Sequence, residues 1–239
     1  MLWIIYYAFL FTPLQRINTF LHNLPTTQEI AGYWESLSPA TCMPDHCFCE
    51  PVQSAIIRQP INTLTNLGFI LAGVLVIAIA IFDWLLNKKQ RTVNTMRSHW
   101  LYSMIYGIAV IIVGIGSTIY HSTMTFFGQS LDIMGMYLVA IFIILYNLLR
   151  IRPFSSKRFL LVYILLNAIL FGIATFIPTL RRPLFVVMLI AILGSDVWGR
   201  LAKIAPANNK FYLGSIASLV IGCTAWILDI LNIFCMPDS

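Results

Sequence analysis

The sequence predicts an all-α, polytopic membrane helical bundle with six transmembrane helices. Hydrophobic residues make up 59% of the 239 positions and charged residues only 10%, a balance that excludes an ordinary soluble domain and a disordered chain. Six apolar stretches are about long enough to cross a bilayer as helices. Because these stretches are long and lack period-two alternation, they favour helices over a β-barrel.

The chain divides into an N-terminal segment, residues 1–60, and a helical bundle, residues 61–239. The segment begins with an apolar run, Met1 to Phe11, that is too short to span a membrane. No basic region precedes this run, so we expect an interfacial segment and not a cleaved signal peptide. The predicted spans are residues 61–86, 100–121, 130–149, 159–180, 183–205 and 211–234.

Basic residues between the predicted spans orient the bundle. Most Lys and Arg residues fall on one side, and only Arg16, Arg58, Arg181 and Arg182 fall on the other. Because cytoplasmic loops carry the excess of basic residues, the N-terminus is expected on the non-cytoplasmic side. The net charge of +6 belongs to these connections, so nucleic acid is not an expected partner.

Three chemically active side chains lie where the second and third spans meet. Ser117 and His121 are four residues apart and therefore share one helix face. Asp132 follows His121 by eleven residues and opens the next apolar run, after a short connection that contains Gly128. We expect the hydroxyl, imidazole and carboxylate to converge at the non-cytoplasmic face.

These side chains indicate metal-assisted or acid–base hydrolysis. Imidazole binds metals, carboxylate orients ligands or moves protons, and hydroxyl donates to a developing oxyanion. A Ser-His-Asp triad is the competing interpretation, but the sequence lacks a Gly-x-Ser-x-Gly elbow in a strand-turn-helix setting. The non-functional alternative is an interfacial hydrogen-bonded pair of His121 and Asp132.

Cysteines cluster on the predicted outer side. Cys42, Cys47 and Cys49 lie in the N-terminal segment, and Cys235 lies at the outer end of the last span. An oxidising compartment permits disulfides, and we predict that Cys49 pairs with Cys235. The alternative is a zinc knuckle formed by the first three cysteines and His46, although Cys-x4-Cys-x-Cys is not a familiar zinc-ligand spacing.

Two carboxylates are candidate supporting residues for the site. Asp229 lies near the outer end of the last span, on the same membrane side as His121, with no basic residue within one turn. Glu50 lies in the N-terminal segment on that side. Both are therefore expected close to the membrane face that carries His121.

Four short motifs stand out: Phe48-Cys49-Glu50, Gln59 to Asn66, Gly116 to Thr123, and Gln129 to Asp132. Together they resemble the alkaline ceramidase family, especially its bacterial members, from about Phe48 to the C-terminus. That family belongs to a wider superfamily that includes the adiponectin receptors. Its members have seven helices, bind zinc near one membrane face and hydrolyse the amide of ceramide.

The resemblance implies a zinc-dependent membrane amidohydrolase, a hydrolase acting on a linear amide in ceramide or a similar sphingolipid. His121 would be a zinc ligand, and Ser117 would hold the water or stabilise the oxyanion. Asp132 would orient a ligand or shuttle a proton. The lipid substrate would enter laterally, and the resemblance places the protein in a bacterial inner membrane.

The chain departs from the family pattern in two places. The family carries two further zinc histidines as His-x3-His in a seventh helix, and these 239 residues contain no such pair. We therefore expect a family member without its last helix, which supplies one zinc histidine in place of three. Calcium is not predicted, because Cys47, Val52 and Gln59 stand roughly where the eukaryotic members place ligands.

Two non-enzymatic functions remain as alternatives. The chain could be a catalytically inactive truncated homologue, or a lipid-binding, receptor-like membrane protein of the same architecture. A transporter or pore is disfavoured because it needs polar residues along a path through the bilayer. In this sequence the charged residues gather at the ends of the spans.

Overall fold

The computed structural model describes residues 27–43, 47–86, 96, 99–201, 209–233 and 235. Helices dominate these residues, which confirms the all-α prediction. They are α1 (Thr27–Ser36), α2 (Pro60–Thr65), α3 (Leu67–Leu86), α4 (Trp100–Thr123), α5 (Phe126–Ile151), α6 (Ser156–Phe176), a 3-10 turn (Pro178–Leu180), α7 (Arg181–Leu201) and α8 (Asn209–Ile230). The opening residues, 1–26, lie outside the described part, and so does His46.

Among the described residues, six helical stretches are long and apolar enough to cross a membrane, and α2 and α3 together form the first of them. Large apolar side chains point outward, including Leu71, 68% exposed, and Phe176, 87% exposed. Such a surface is unfavourable in water but matches a lipid environment. The protein is therefore a multi-pass membrane protein. The spans are Pro60–Leu85, Trp100–Thr123, Phe126–Ile151, Ser156–Phe176, Pro178–Leu201 and Tyr212–Ile230.

Two helix starts differ from the sequence prediction. Helix α5 begins at Phe126, so Gly128 lies in its first turn and not in a connection. The helix starts there because the Thr125 side chain accepts a hydrogen bond from the Gly128 backbone N–H. Helix α7 begins at Arg181, so this residue is part of the span and not of the preceding loop.

Helix α4 lies at the centre of the site-bearing half, packed between α3 and α5. Glycines allow the close approach of these helices. A Cβ on Gly107 would lie 3.0 Å from the Gly73 carbonyl oxygen, and a Cβ on Gly135 would lie 2.7 Å from the Val113 Cα. Small residues at helix interfaces are typical of membrane bundles, because apolar lipid gives helices little hydrophobic reason to associate.

The other half of the bundle packs around buried aromatic side chains. Helix α5 contacts α6 and α7 here. Tyr102, Tyr137, Phe142 and Phe159 are each no more than 2% exposed. The Tyr137 hydroxyl donates to the carbonyl oxygen of Arg181 at 2.9 Å, so its polar end is satisfied inside the bundle. This aromatic core fixes α5 against α7.

The N-terminal segment closes over the end of α4. The last carbonyl groups of a helix have no partner within the helix and need donors from elsewhere. The helix ends at Met124, which has a left-handed backbone with φ 50°, and the segment supplies the donors. The hydrogen bonds are Gln59 N–H to His121 O, 3.0 Å; Arg58 N–H to Ser122 O, 3.0 Å; and Ala40 N–H to Met124 O, 3.0 Å.

Candidate active site

His121 lies in the last turn of α4 and is only 9% exposed. Two aromatic rings pack against its imidazole, those of Phe48 and Tyr120, each with a centroid distance of 4.9 Å. Phe48 belongs to the N-terminal segment, so the segment covers the imidazole as well as the end of the helix. The ring is therefore held in place on more than one side.

Gln59 fixes the orientation and the tautomer of His121. The Gln59 amide nitrogen donates to the Glu50 carbonyl oxygen at 2.7 Å, so its Oε1 faces the imidazole. His121 Nδ1 lies 2.7 Å from that oxygen and must be the donor. Since Nδ1 carries the proton in the neutral ring, Nε2 keeps its lone pair for a metal ion or for a proton.

Glu50 acts on the site through Gln59. Its carboxylate accepts hydrogen bonds from the backbone N–H groups of Ile61 and Asn62, both at 2.7 Å. These bonds cap the first turn of α2, which begins at Pro60, and negative charge is favourable at a helix N-terminus. Glu50 therefore holds the start of α2, and with it Gln59, against His121.

Ser117 and Asp132 form the second part of the site. The Ser117 side chain lies close to the Asp132 carboxylate, where α4 and α5 pack together. Ser117 is 7% exposed. Gly116 makes the contact possible, because a Cβ there would lie 2.7 Å from the Leu131 carbonyl oxygen and 3.0 Å from the Asp132 nitrogen.

The structure thus places the three predicted residues on two facing helices at one end of the bundle. Ser117 lies close to Asp132, while the hydrogen bond of the His121 ring goes to Gln59. Ser117 and His121 share one face of α4 because they are one turn apart. The arrangement offers a proton acceptor, a hydroxyl donor and a held imidazole around one helix end.

Asp229 contributes to a different contact. Its Oδ1 accepts a hydrogen bond from the Cys49 backbone N–H at 2.8 Å. Next to this bond, Cys49 is joined to Cys235 by the predicted disulfide. Asp229 therefore joins α8 to the segment that carries Glu50 and Phe48, and it supports the site through that segment.

The zinc-knuckle interpretation of the N-terminal cysteines is wrong. Cys42 and Cys47 form a disulfide, and Cys49 is in the second one. A zinc ligand must be a free thiolate, and a sulfur in a disulfide has no such form. His46, the fourth residue of that interpretation, lies outside the described residues.

Arg181 is a buried cation that sequence analysis treated only as a loop charge. It is 4% exposed, and its guanidinium lies over the Phe126 ring, 4.4 Å from the centroid. Its N–H groups donate to Gln129 Oε1 at 2.9 Å, Ser130 Oγ at 3.0 Å and the Ala174 carbonyl oxygen at 2.8 Å. These bonds join α7 to the first turns of α5, just before Asp132.

The metal chemistry implied by the resemblance is only partly matched. Within the described ranges, no three His, Cys, Asp or Glu side chains gather in a group that could hold a metal ion. His121 has the features of one zinc ligand, because its Nδ1 is bonded to a carbonyl oxygen and its Nε2 is left for the metal. Zinc sites use three or four protein ligands, so the described residues supply one ligand of such a site and not a complete set.

One protein-family model matches most of the chain. The family model named Ceramidase matches residues 38–237, a range that contains Glu50, Gln59, Ser117, His121 and Asp132. No curated protein matches the chain. Since the family match covers most of the 239 residues, this chain belongs to the ceramidase family.

Proposed function

We propose that this protein hydrolyses the N-acyl amide of ceramide or a similar lipid in a zinc-dependent reaction. The observation that supports the proposal most is the proximity of the Ser117 hydroxyl and the Asp132 carboxylate to a His121 ring whose Nδ1 is held by Gln59. Amide hydrolysis needs a group that accepts a proton from water, a donor to the oxyanion and a proton for the leaving nitrogen. These three side chains can supply those functions.

Asp132 is the proposed proton carrier. Its carboxylate lies nearly two helix turns inside α5, beside the Ser117 hydroxyl. It can take a proton from the attacking water and return it to the amine that leaves. Ser117 can turn its hydroxyl from Asp132 to the carbonyl oxygen of the substrate and stabilise the oxyanion.

His121 is the proposed zinc ligand, through Nε2. Held there, zinc would supply polarisation of a carbonyl group and a water of lowered pKa. Gln59 keeps the ring in the tautomer that leaves Nε2 free. Among the described residues, no group of three possible ligands surrounds His121. The proposed zinc site therefore needs ligands in addition to this imidazole.

The position of the site suits a lipid substrate. The spans around it expose apolar side chains such as Leu64, 62% exposed, and Leu67, 46% exposed, next to the polar interior. A lipid can therefore reach the site from the bilayer with its acyl chains among these residues. Both disulfides lie at the same end of the bundle as His121, which supports a non-cytoplasmic orientation of that end. The membrane we propose is a bacterial inner membrane, as the family resemblance implies.

The test is fatty-acid release by the purified full-length protein in detergent or lipid discs, measured by mass spectrometry. The wild-type protein should cleave N-acylsphingosine. Diacylglycerol, which carries esters in place of the amide, is the comparison substrate. Asp132→Asn should lower amide cleavage by ~10²- to 10⁴-fold, the usual contribution of a positioned acid or base, while N-acylsphingosine binding persists. Binding without cleavage by the wild-type protein would instead support a receptor-like function.

A further inference from the structure

A polar cavity lies between the last turns of α5 and α7, at the end of the bundle opposite His121. Helices α5 and α7 both begin at the end that carries the proposed active site, where Arg181 bonds to Gln129. Their last turns therefore lie together at the other membrane boundary. The residues that line the cavity include Asn147, Arg150, Ser195, Asp196, Gly199 and Arg200.

The cavity carries more positive than negative charge. Arg200 Nε donates to Asp196 Oδ2 at 3.1 Å, and Arg150 Nη1 lies 4.0 Å from Asp196 Oδ1. Each oxygen of the single carboxylate thus faces a guanidinium group, and two guanidinium groups against one carboxylate leave a formal charge of +1. The three side chains are only 22 to 24% exposed, so water and salt screen this charge less than they would on an open surface.

Arg200 is held in a position that leaves its terminal nitrogens available. Its Nε is bonded to Asp196, and its Cζ lies 3.2 Å from the centre of the Tyr212 ring on α8. Within the described part of the chain, neither Nη1 nor Nη2 of Arg200 has a hydrogen-bond partner. The N–H groups of a guanidinium form a planar fork that matches two oxygens of a phosphate or a carboxylate. The cavity therefore presents a positioned donor pair for an oxyanion.

The surface around the cavity is also basic. Asp83 and Asp196 are the acidic residues at this end of the bundle among those that the structure describes. Topology alone explains basic residues in the loops between spans, but it does not require two arginines to share a cavity inside the last turns of two spans. The other described basic residues at this end are Arg152, Lys157, Arg158 and Lys210.

The depth of the cavity favours a ligand that belongs to the membrane. Arg150 and Arg200 are each the last residue but one of a span. Beside them on α7, Trp198 is 57% exposed and Leu201 is 78% exposed, as is typical of the boundary between lipid and water. Phospholipid headgroups lie at this level, and basic pockets between spans bind the headgroups of anionic lipids.

We propose that Arg150 and Arg200 bind the phosphate group of an anionic phospholipid in the cavity between α5 and α7. The Nη groups of Arg200 donate to two phosphate oxygens, Arg150 supplies a second positive charge, and Asp196 holds both arginines in place. The acyl chains lie along the apolar outer surface of α7, beside Trp198 and Leu201. The site is at the opposite end of the bundle from His121 and does not depend on the proposed amide hydrolysis.

The experiment is a titration of the full-length protein, freed of lipid in detergent, with phosphatidylglycerol, followed by native mass spectrometry. Arg150→Gln and Arg200→Gln should each raise the Kd by ~tenfold or more, the value of a hydrogen bond to a charged group. The matched control is Arg158→Gln, which removes the same charge from an exposed position at the same end. It should change the Kd by no more than ~twofold.

Equal weakening in all three variants would show a general attraction between a basic surface and anionic lipid, and the inference would be overturned. Arg200→Lys keeps the positive charge beside Asp196 but lacks the planar fork, so it should still bind phosphatidylglycerol several-fold more weakly than the wild type. Wild-type binding by Arg200→Lys would also overturn the inference. If Arg200→Gln does not fold, this lysine variant decides the matter.

Two further ligands identify the source of the phosphate group. Inorganic phosphate in large molar excess should leave phosphatidylglycerol bound, because it lacks the acyl chains; displacement would mean a site for a soluble anion and would overturn the lipid assignment. Phosphatidylcholine, whose choline cation offsets the phosphate charge, should bind the wild-type protein more weakly than phosphatidylglycerol does. Equal binding of the two lipids would contradict a site that selects negative charge.

Discussion

Gln59 and His121 hold each other through two hydrogen bonds. The Gln59 backbone N–H donates to the His121 carbonyl oxygen at 3.0 Å, and His121 Nδ1–H donates to the Gln59 side-chain oxygen at 2.7 Å. One bond closes the end of α4 and the other sets the tautomer of the imidazole. The start of the first span and the end of the second are thereby fixed at the residue proposed to bind zinc.

Removing the Gln59 amide tests this relationship. Gln59→Leu should lower zinc affinity and N-acylsphingosine turnover by ~10- to 100-fold, the usual effect of losing the partner of a metal-binding histidine. Zinc titration followed by turnover at saturating zinc measures both. Gln53→Leu is the control, because Gln53 is exposed and contributes only its backbone N–H to the Arg58 carbonyl oxygen. Equal zinc affinity in both variants would contradict the positioning role.

A methyl group at Gly116 should separate Ser117 from Asp132. In Gly116→Ala the new Cβ meets backbone atoms of Leu131 and Asp132 at 2.7 to 3.0 Å, so α5 has to move away from α4. A misplacement of about 1 Å can lower turnover by up to ~100-fold, and we expect a loss of that order with lipid binding kept. Gly172 has open space around it, so the control variant Gly172→Ala should retain full turnover. Wild-type turnover in Gly116→Ala would argue against a role for the Ser117–Asp132 pair.

The pairing of Cys49 with Cys235 should stabilise the whole protein. It closes a loop with a sequence separation of 186 residues and ties α8 to the segment around the site. Replacing both cysteines by serine should lower the free energy of unfolding by about 3 kcal/mol, visible as a lower thermal midpoint. Cys223 is a free thiol, and Cys223→Ser should leave the midpoint unchanged. Identical midpoints for all three proteins would show that the disulfide is dispensable.

The buried Arg181 should contribute more to the stability of the protein than the exposed Arg182 does. Arg181→Met removes the donors to Gln129, Ser130 and Ala174 and should cost about 3 kcal/mol of stability. Arg182 is exposed, and Arg182→Met should change stability by no more than about 0.5 kcal/mol. Denaturation of the two variants side by side measures the difference, and similar values would mean that the hydrogen bonds of Arg181 contribute little.

The parts of the site that sequence analysis found are those that local spacing determines. Ser117 and His121 are one helix turn apart, and Asp132 follows after a short connection. Predicting two helices joined by this connection is therefore enough to bring the three residues near each other. The long apolar runs likewise indicate the spans, and the basic residues outside them indicate the orientation.

Gln59 and Arg181 escaped sequence analysis because their contacts depend on tertiary packing. Gln59 meets His121 across 62 residues and Arg181 meets Gln129 across 52, and no local pattern encodes either pair. Proline is common at the first position of a helix, where Pro60 stands, but nothing in the sequence says which side chain Gln59 faces. For Arg181, the basic charge suggested a loop, whereas the neutral acceptors that surround it allow a buried position.

The most direct test of the account is N-acylsphingosine hydrolysis by the full-length protein and its His121→Ala variant, with bound zinc measured on the same samples. His99→Ala, at the opposite end of α4, is the control. We predict that the wild-type and His99→Ala proteins release fatty acid and hold zinc, and that His121→Ala does neither. Unchanged fatty-acid release by His121→Ala would contradict the account.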